Sequence, residues 1–379
     1  MMATARIHRA LSEIPAEQWD GLHDGRNPFV AHAFLAGLEA HDVACAANGW
    51  TPRHLAVWQG DTLLAAAPAY LKHNSHGEFV FDHGWARAYA HHGREYFPKW
   101  LCAVPYSPVT GPRLLARDIG GREALLQAMS SITAEAGWSS AHVNFHQSAE
   151  EPAFDHRWLP RIDVQYHWRN DAGWQGFDEF LAAMDHRHRK NIRQERAKVA
   201  RAGIRFRVVH GDEASDDDLA SMHDFYLQTF AEYGNRPTLT LAFLRHLAVA
   251  MPRQLVMFLA TRDGIPIAGA LCLRGADTLY GRYWGTLAAT PVAGLHFETC
   301  YYQGIEYCLR EGLACFEPGA QGEHKLARGF LPRLVRSRHW IADPDFAAAL
   351  APWCVEETEA VRRYAETLAA RSPFRMPSP

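Results

Sequence analysis

Three apolar segments separated by two tight turns constrain the fold of this 379-residue chain more than any other feature. QLVMFLAT, IPIAGALCL and TLYGRYWGT are rich in β-branched and aromatic residues, and the stretches between them are Arg262-Asp263-Gly264 and Gly275-Ala276-Asp277. Apolar runs of this length joined by turn-forming residues indicate antiparallel hairpins. The sequence therefore predicts a three-stranded antiparallel meander in the second half.

Helical and strand patterns surround this meander in a defined order. IRFRVV alternates like a strand, DDDLASMHDFYLQTFAEYG and TLAFLRHLAVAM have helical spacing, and after the meander come the amphipathic helix LHFETCYYQGIEYCLREG and the short strand ACFEP. The first half has a looser version of this order, with a hairpin at Gly60-Asp61 and with EFVFDHGW as a further strand. We expect an α/β (α+β) chain with mixed, mostly antiparallel sheets flanked by helices.

The length and these patterns divide the chain into domains. A single core usually stops growing at about 250–300 residues, so two domains are expected. We predict an N-terminal domain over 1–168, a C-terminal domain over 169–345 that includes a basic helix at 177–202, and a helical tail over 346–379. The tail pattern is interrupted at Pro352.

Composition excludes several classes of function. The net charge of -3 gives no global field for a polyanion or a membrane, so any such partner must be held by a local patch. The seven cysteines form no CxxC pair, and no apolar run is long enough for a secretion signal or a membrane span, so we expect a cytoplasmic protein with reduced thiols. The 22 histidines show no metal-ligand spacing, and we predict no metal.

The segment FEPGAQGEHKLARGF, which begins at position 316, combines three glycines with several ionisable side chains. Glycine lets the backbone approach a ligand closely, and an unpaired charge is costly to bury. The segment is therefore either a solvated loop with an internal Glu–Lys pair or part of a ligand site. Glu317, Glu323 and His324 are the candidate general bases for an incoming amine. Gln321 and Lys325 are candidate donors to a carbonyl or phosphate group.

Six segments together resemble a known family: SPVTGPRLL, RKNIRQE, PIAGALCL, LYGRYWG, LHFETCYYQGIEYC and FEPGAQGEHKLARGF. The second half resembles the GNAT acyltransferase fold. The whole chain resembles the Fem-like group of paired GNAT proteins, often described as peptidoglycan biosynthesis or recognition proteins. The resemblance implies two tandem GNAT-like domains that share a cleft, and transfer of an acyl or aminoacyl group to an amine.

The resemblance leaves the donor of that group open. Better-known relatives use aminoacyl-tRNA and a cell-wall precursor, and commonly insert a long helical hairpin after the basic helix, whereas here Gly203 ends the helix and a strand follows. An acyl-CoA enzyme of this fold binds pyrophosphate on backbone N–H groups at a helix N-terminus. The matching segment LAATPVAGLHFE has one glycine, Gly294, and neither Arg nor Gln. We expect aminoacyl-tRNA as the favoured donor, acyl-CoA as the alternative, and no tightly bound cofactor.

Further substrate-binding candidates lie on the third meander strand and in the first half. Alternation along TLYGRYWGT places Arg282 and Trp284 on one face and Tyr283 on the other. An arginine beside a tryptophan can hold a carboxylate or stack on a flat ring, and half-buried sheet packing is the alternative. The candidates in the first half, at a strand end and in a proline-rich loop, are Asp82, Tyr106 and Thr110.

A basic face marks the helix predicted at 177–202. Between 186 and 201 seven Arg and Lys residues accompany one acid, Glu195, which gives a net charge of +6. Such a run is either a solvated face or a site for an anionic ligand: tRNA phosphates, a nucleotide-linked precursor or an acidic peptide. The candidate polyanion-binding residues are Arg189, Lys190, Arg193 and Arg196.

The sequence thus indicates a GNAT-type N-acyltransferase or aminoacyltransferase that acts on an amino group of a peptide, a cell-wall precursor or a small amine, in a cleft between the domains. Carbonyl polarisation can come from N–H donors, so no metal is required. A non-catalytic protein that binds cell-wall or peptide ligands is the alternative from another functional class. The acceptor and the oligomeric state stay open.

Overall fold

The computed structural model describes residues 3–287, 292–320 and 322–375, and the chain divides into two compact units. The first unit comprises Met1–Val164 and Leu334–Tyr364, and the second comprises Gln165–Arg333 and Ala365–Pro379. This division differs from the predicted one, which placed 334–345 in the C-terminal domain. The physical reason is backbone pairing, because the strand that contains Ser337 is hydrogen-bonded to the strand that contains Asn144.

The strands in the described part of the chain are β1 (Thr4–His8), β2 (Trp50–Pro52), β3 (His54–Gln59), β4 (Thr62–Ala67), β5 (Ala69–Lys72), β6 (Lys99–Cys102), β7 (Leu115–Ala116), β8 (Ser140–Asn144), β9 (Leu159–Arg169), β10 (Arg205–His210), β11 (Leu255–Arg262), β12 (Ile265–Arg274), β13 (Thr278–Thr286), β14 (Cys315–Glu317) and β15 (Leu331–Ile341).

The helices in the same part are α1 (Ala16–Asp20), α2 (His32–Ala40), α3 (His83–His91), α4 (Ile119–Glu135), α5 (Phe177–Ala183), α6 (His186–Arg201), α7 (Asp216–Glu232), α8 (Leu241–Ala250), α9 (Leu295–Phe297), α10 (Gln303–Glu311) and α11 (Pro344–Ala369). A π-helical turn, Glu298–Tyr302, joins α9 to α10. Short 3-10 helices include Glu323–Arg328.

The second unit contains the predicted meander. Its strands lie in the order β10-β11-β12-β13-β14-β9, and all neighbours are antiparallel except β13 and β14, which run parallel. Helix α7 packs on β12 and β13. Gly285 lets α7 come close, because a Cβ atom at this position would lie 1.9 Å from the carbonyl oxygen of Phe225. The predicted order of strand, two helices, meander, helix and short strand is confirmed here.

The first unit contains two sheets. One has the order β1-β3-β4-β7, and the other has the order β15-β8-β6-β5-β2, with β6 and β8 parallel. Helix α4 packs on strands of both sheets, and Trp100, Leu125 and Trp158 are fully buried in the core beside it. The predicted α/β class with mixed, mostly antiparallel sheets flanked by helices is confirmed.

Three local predictions were wrong. EFVFDHGW is not a strand, because the carboxylates of Glu78 and Asp82 contact the buried ammonium of Lys99 and helix α3 begins directly afterwards. The basic helix predicted at 177–202 is two helices, since the carboxylate of Asp185 accepts the backbone N–H of His188 and so caps a new helix. Pro352 does not interrupt the tail, which forms the single helix α11.

None of the helices described by the structure combines the length and the apolar character that crossing a membrane requires.

Candidate active site

Strands β13 and β14 are paired over only three residues and then separate. Thr278 pairs with Cys315, and Tyr280 with Glu317, where the register ends. Gly281 follows, and a Cβ atom there would lie 3.1 Å from Cα of Pro318, so glycine permits the close approach of the two chain segments at this point. We call this point of separation the strand opening.

A β-bulge places Arg282 at this opening. The register of β12 against β13 pairs Leu271 with Tyr283 and Cys272 with Gly281, so Arg282 is the extra residue. Its guanidinium carbon lies 5.7 Å from the centre of the Tyr283 ring. Burial lowers the pKa of Arg282, against the opposing effects of Tyr283 and of the Glu317 carboxylate. The bulge therefore lies two positions beyond Tyr280, the last residue of β13 that is paired with β14.

Tyr283 and Trp284 pack on opposite faces of β13, as the alternation predicted. The Trp284 ring packs 5.0 Å from His296 and against the apolar cluster that includes Val199. The Tyr283 ring lies 4.8 Å from Tyr226 of helix α7, and burial raises the pKa of Tyr283 to about 12. Both rings stabilise the sheet, which is the alternative that the sequence left open, and the roles of Arg282, Tyr283 and Trp284 in substrate binding stay predictions.

Glu317 lies opposite a histidine that the sequence analysis missed. The Nδ1 atom of His167 is 3.8 Å from Oε1 of Glu317. Burial, reinforced by the positive charges of Arg333 and Lys325, lowers the pKa of His167 to about 3, so the ring is neutral at neutral pH. The signal that could have found it is the polar series Gln165, His167 and Arg169, which alternates with apolar residues on strand β9.

The segment after β14 bends sharply before it forms a 3-10 helix. Gly319 and Gly322 have φ values of 103° and 113°, which are accessible at low cost only to glycine. The side chain of Lys325 is buried and its ammonium donates a 2.7 Å hydrogen bond to the carbonyl oxygen of Gly319. Burial lowers the pKa of Lys325 to about 8. Gln321, a predicted donor, lies outside the described residues.

The three candidate bases have different environments. Glu317 is at the strand opening. His324 is hydrogen-bonded through Nε2 to the hydroxyl of Tyr301, 2.8 Å away, and burial with the nearby charge of Lys325 lowers its pKa. Glu323 is exposed and forms a 2.9 Å ion pair with Arg371. Glu317 and His324 are therefore the stronger candidates, and Glu323 has the environment of a surface residue.

Helix α6 is held to the rest of the second unit by its inner face. Arg196 donates hydrogen bonds to both Glu298 and Glu306, and its guanidinium carbon lies 4.4 Å from the centre of the Phe177 ring. Glu195 accepts hydrogen bonds from Tyr302 and from Arg328. Arg196 is not a freely exposed cation, because the carboxylates of Glu298 and Glu306 already satisfy its guanidinium group, and its role in polyanion binding stays a prediction.

The outer face of α6 forms a shallow groove of about 750 Å³. Among the described residues that line it, five are cationic and none is acidic. We call this surface the basic groove. It retains three of the four predicted polyanion-binding residues. Its lining consists of His186, Arg189, Lys190, Arg193, Gln194, Ala197, Lys198 and Arg201.

The predicted substrate contact Asp82 is enclosed in the first unit. Its side chain is buried and ion-paired with Lys99. It also accepts hydrogen bonds from the hydroxyls of Ser75 and Tyr96, at 2.8 and 2.6 Å. Burial acts to raise the pKa of Asp82, but the positive charge of Lys99 and the hydrogen bonds from Lys99 and Tyr96 lower it below its usual value. These contacts let Asp82 stabilise the first unit, and its role in substrate binding stays a prediction.

The other two candidates of the first unit lie in the predicted proline-rich loop. The hydroxyl of Tyr106 donates to the carbonyl oxygen of Asn48, 3.4 Å away, and its ring lies 5.5 Å from Trp50. The carbonyl oxygen of Thr110 accepts a hydrogen bond from Asn27. Within the described residues the buried hydroxyl of Thr110 has no hydrogen-bond partner. Their roles in substrate binding remain predictions.

The segment that corresponds to a coenzyme A pyrophosphate site is described only in part. Residues 288–291 lie outside the described residues. Gly294 has a φ of 89°, and a Cβ atom there would lie 3.3 Å from the carbonyl oxygen of Glu195, so glycine allows this turn to approach helix α6. The weakness of this segment as a pyrophosphate site therefore remains a prediction from sequence.

Comparison with protein families gives one match that spans nearly the whole chain. The model of the FemAB-like family, described as peptidoglycan biosynthesis/recognition, matches residues 10–376. No curated protein matches the sequence significantly.

Solved structures with low sequence identity share the fold. A C-terminal domain named as belonging to a putative lysylphosphatidylglycerol synthetase from Agrobacterium fabrum is 12% identical, with 92% of this chain and 97% of that chain covered and a TM-score of 0.55. FemX is 12% identical, with 90% of this chain and 97% of the FemX chain covered and a TM-score of 0.50. L-PGS from Bacillus licheniformis is 8% identical, with 90% of this chain and 96% of the L-PGS chain covered and a TM-score of 0.50.

Proposed function

Since the chain belongs to the FemAB-like family of peptidoglycan biosynthesis and recognition proteins, we propose that it transfers an acyl or aminoacyl group to the amino group of a peptide, a cell-wall precursor or a small amine. Aminoacyl-tRNA is the proposed donor. The observation that carries the proposal is the position of Glu317 at the opening of β13 and β14, near the partly buried cation Arg282.

The proposed reaction forms an amide bond and breaks an ester bond. The amine nitrogen attacks the carbonyl carbon of the donor, and the carboxylate of Glu317 takes the proton that the nitrogen loses. The negative charge that develops on the carbonyl oxygen is stabilised by N–H donors at the strand opening and by the ammonium of Lys325. The C–O bond to the tRNA ribose then breaks, and the proton passes from Glu317 to the leaving oxygen.

Lys325 is suited to this role by its burial. A cation in a site of low dielectric interacts more strongly with a developing oxyanion than the same cation in water. Its present hydrogen bond to the carbonyl oxygen of Gly319 holds the ammonium in place and leaves its other N–H groups to a ligand. Because the pKa of Lys325 is about 8, the group remains mostly charged at neutral pH.

The basic groove is the proposed binding surface for the donor. A polyanion gains affinity by releasing counterions when cationic side chains neutralise its phosphates. The five cations of the groove follow one face of α6, whereas Arg196 on the opposite face is ion-paired within the protein. This division of charge supports a nucleic-acid donor over a donor with a single diphosphate. An acyl-CoA-dependent N-acyltransferase is the alternative enzyme, and a non-catalytic peptide binder is the alternative from another class.

A transfer assay tests the proposal. Purified protein is incubated with tRNA that carries a radiolabelled amino acid, and the label is followed into a lysine-containing peptide, a cell-wall precursor, a small amine or phosphatidylglycerol. The lipid is included because one solved neighbour is named for its lysyl derivative. Transfer to the lipid would form an ester with a glycerol hydroxyl, so label in that product would contradict the proposed amine acceptor. A parallel series uses radiolabelled acyl-CoA. Label in an amide product supports the proposed function, and the donor series that yields it identifies the donor.

Two results would contradict the proposal. Transfer from acyl-CoA alone would replace the tRNA donor with the alternative enzyme. Binding of peptide or precursor without transfer from either donor would favour the non-catalytic binder. Glu317→Gln provides the matched control, because it keeps the size and polarity of the side chain but cannot accept the proton.

A further inference from the structure

Three potential metal ligands converge beside the strand opening. Cys315 and Glu317 are two residues apart on β14 and so lie on the same face, and β9 places His167 next to them across an antiparallel register. One ring nitrogen of His167, the sulfur of Cys315 and one carboxylate oxygen of Glu317 all lie within 4.8 Å of one another. Cys315 is a free thiol.

The histidine is oriented as a metal ligand would be. Nε2 of His167 lies 3.3 Å from Oε1 of the buried Gln165, and an amide oxygen only accepts, so Nε2 carries the proton. Nδ1 therefore directs its lone pair toward Glu317. In protein metal sites the second ring nitrogen of a ligating histidine almost always donates to an oxygen in this way. The low pKa of His167, about 3, keeps the ring in the neutral form that binds metals.

The ligand set selects among metals. A nitrogen, a thiolate sulfur and a carboxylate oxygen suit Zn²⁺, and three protein ligands leave a fourth position open. The positive charges of Arg333, Lys325 and Arg169 near His167 oppose any cation, so binding requires the negative charges of both the thiolate and the carboxylate. Zn²⁺ has the thiolate and the carboxylate to balance its charge, whereas Mg²⁺ and Ca²⁺ gain little from sulfur.

Two of the three ligands keep some contact with solvent. The side chains of His167 and Glu317 retain 10% and 13% of their accessible surface, and Cys315 is buried beside them. Sequence spacing contains no signal for this site, because two of the ligands lie on a short strand and the third on a strand far away along the chain.

We propose that His167, Cys315 and Glu317 bind one Zn²⁺ ion, and that this ion inhibits transfer by occupying the carboxylate of Glu317. The inhibitory part rests on the proposed function, which assigns Glu317 as the base. The binding part rests only on the geometry of the three ligands.

Binding is tested with cobalt and zinc on the full chain. Titration of the metal-free protein with Co²⁺ should give one equivalent bound and a thiolate-to-cobalt charge-transfer band, which Zn²⁺ removes by displacement. Cys315→Ser should lose the band, and Gln165→Leu should weaken binding by about 10–100-fold, as loss of an outer-shell partner does. Cys45→Ser, which removes a free thiol of the first unit, should bind as the unmodified protein does.

Two results would overturn the binding site: no thiolate band at saturating Co²⁺, or an unchanged band in Cys315→Ser. Circular dichroism of each metal-free variant separates loss of ligand from loss of fold, and His167→Gln provides a second ligand variant if Cys315→Ser fails to fold. His167→Gln should weaken zinc binding by at least about 10-fold.

Inhibition is tested separately in the transfer assay. Zn²⁺ should abolish turnover in the unmodified protein at the concentration that saturates the cobalt-displacement curve, and EDTA should restore it. Cys315→Ser should show a shift of at least about 10-fold in the inhibitory concentration, relative to its own metal-free rate. Zinc binding without inhibition would overturn the regulatory role. Failure of the transfer assay itself would count against the proposed function and would leave the cobalt measurement to decide the site.

Discussion

Tyr280 of β13 and Glu317 of β14 are the last residues in register before the two parallel strands separate. The phenol and the carboxylate are close enough that the charge of Glu317 contributes to the raised pKa of Tyr280, whose main cause is burial. Beyond this pair the backbone groups of both strands are released from each other. The carboxylate that we propose as the base therefore lies at the point where the two strands separate.

Glu317→Gln should reduce turnover by about 10²–10⁴-fold, because a positioned general base contributes about that much to proton transfer. The Michaelis constant for the amine should change little, since the amide preserves size and polarity. Steady-state kinetics of the purified variant provide the measurement.

The control for this substitution is Glu323→Gln, which removes an exposed carboxylate of the same segment. It should keep turnover within about 3-fold, because exposed ion pairs contribute little. If Glu317→Gln retains full turnover while His324→Gln loses it, His324 is the base and the assignment of Glu317 is wrong.

Neutralising the basic groove should flatten the salt dependence of polyanion binding. Removing one phosphate interaction reduces the slope of log affinity against log salt by about 0.7–0.9. Replacing Arg189, Lys190 and Arg193 together by Gln should therefore reduce the slope by about two or three units. Fluorescence anisotropy with labelled tRNA at several salt concentrations provides the measurement. A steep slope that survives the triple substitution would place the polyanion elsewhere.

Arg196→Gln is the matched control on the same helix, and it should change the stability of the protein but not the salt dependence of binding. Its guanidinium group is committed to Glu298 and Glu306, so the salt slope should stay unchanged. The free energy of unfolding should fall by about 2–3 kcal/mol, because charged hydrogen bonds to the buried Glu298 are removed. Urea unfolding measures this decrease. A changed slope with unchanged stability would show that Arg196 contacts the ligand.

Acid should destabilise the first unit through its buried histidine pair. His142 and His339 contact each other through their Nδ1 atoms, and burial lowers the pKa of His142 to about 3 and that of His339 well below its usual value. Below about pH 6.5 the unfolded chain binds protons that the folded chain excludes. Their stabilisation is therefore fully present above about pH 6.5 and is lost as the pH falls toward about 3.

The expected slope is up to about 1.4 kcal/mol per pH unit for each histidine. Urea unfolding between about pH 7.5 and 4.5 measures it. In the double variant His142→Gln with His339→Gln, the slope of the free energy of unfolding against pH should decrease by the equivalent of up to about two protons. His73→Gln, which removes an exposed histidine, is the control. Equal slopes in all three proteins would mean that other groups cause the acid sensitivity.

Acetyl-CoA should bind weakly. The segment LAATPVAGLHFE includes one proline without an N–H group and no Arg or Lys side chain for a pyrophosphate. Isothermal titration calorimetry should show a dissociation constant above the micromolar range. Micromolar affinity that is lost when Gly294 is replaced by Val would reverse the order of the two proposed donors.

Local patterns were sufficient to predict the meander of the second unit and the helix that follows it. The turns around Gly264 and Gly275 predicted the meander, and Gly312 marked the end of the helix that precedes β14. These features depend on neighbours a few residues apart, where turn chemistry and alternation act directly. The same holds for Glu317 and Lys325, which come from one segment and required only its composition to become candidates.

Long-range packing decided what local patterns could not. An antiparallel register sets β9 beside β14 and so brings His167 next to Glu317. Arg196 does not line the basic groove, because its guanidinium group is paired with Glu298 and Glu306. The same residue type, an arginine on one helix, became a structural ion pair at 196 and part of an open groove at 193. A charge run specifies which residues are cationic, but only the surrounding fold determines which of those charges are already neutralised.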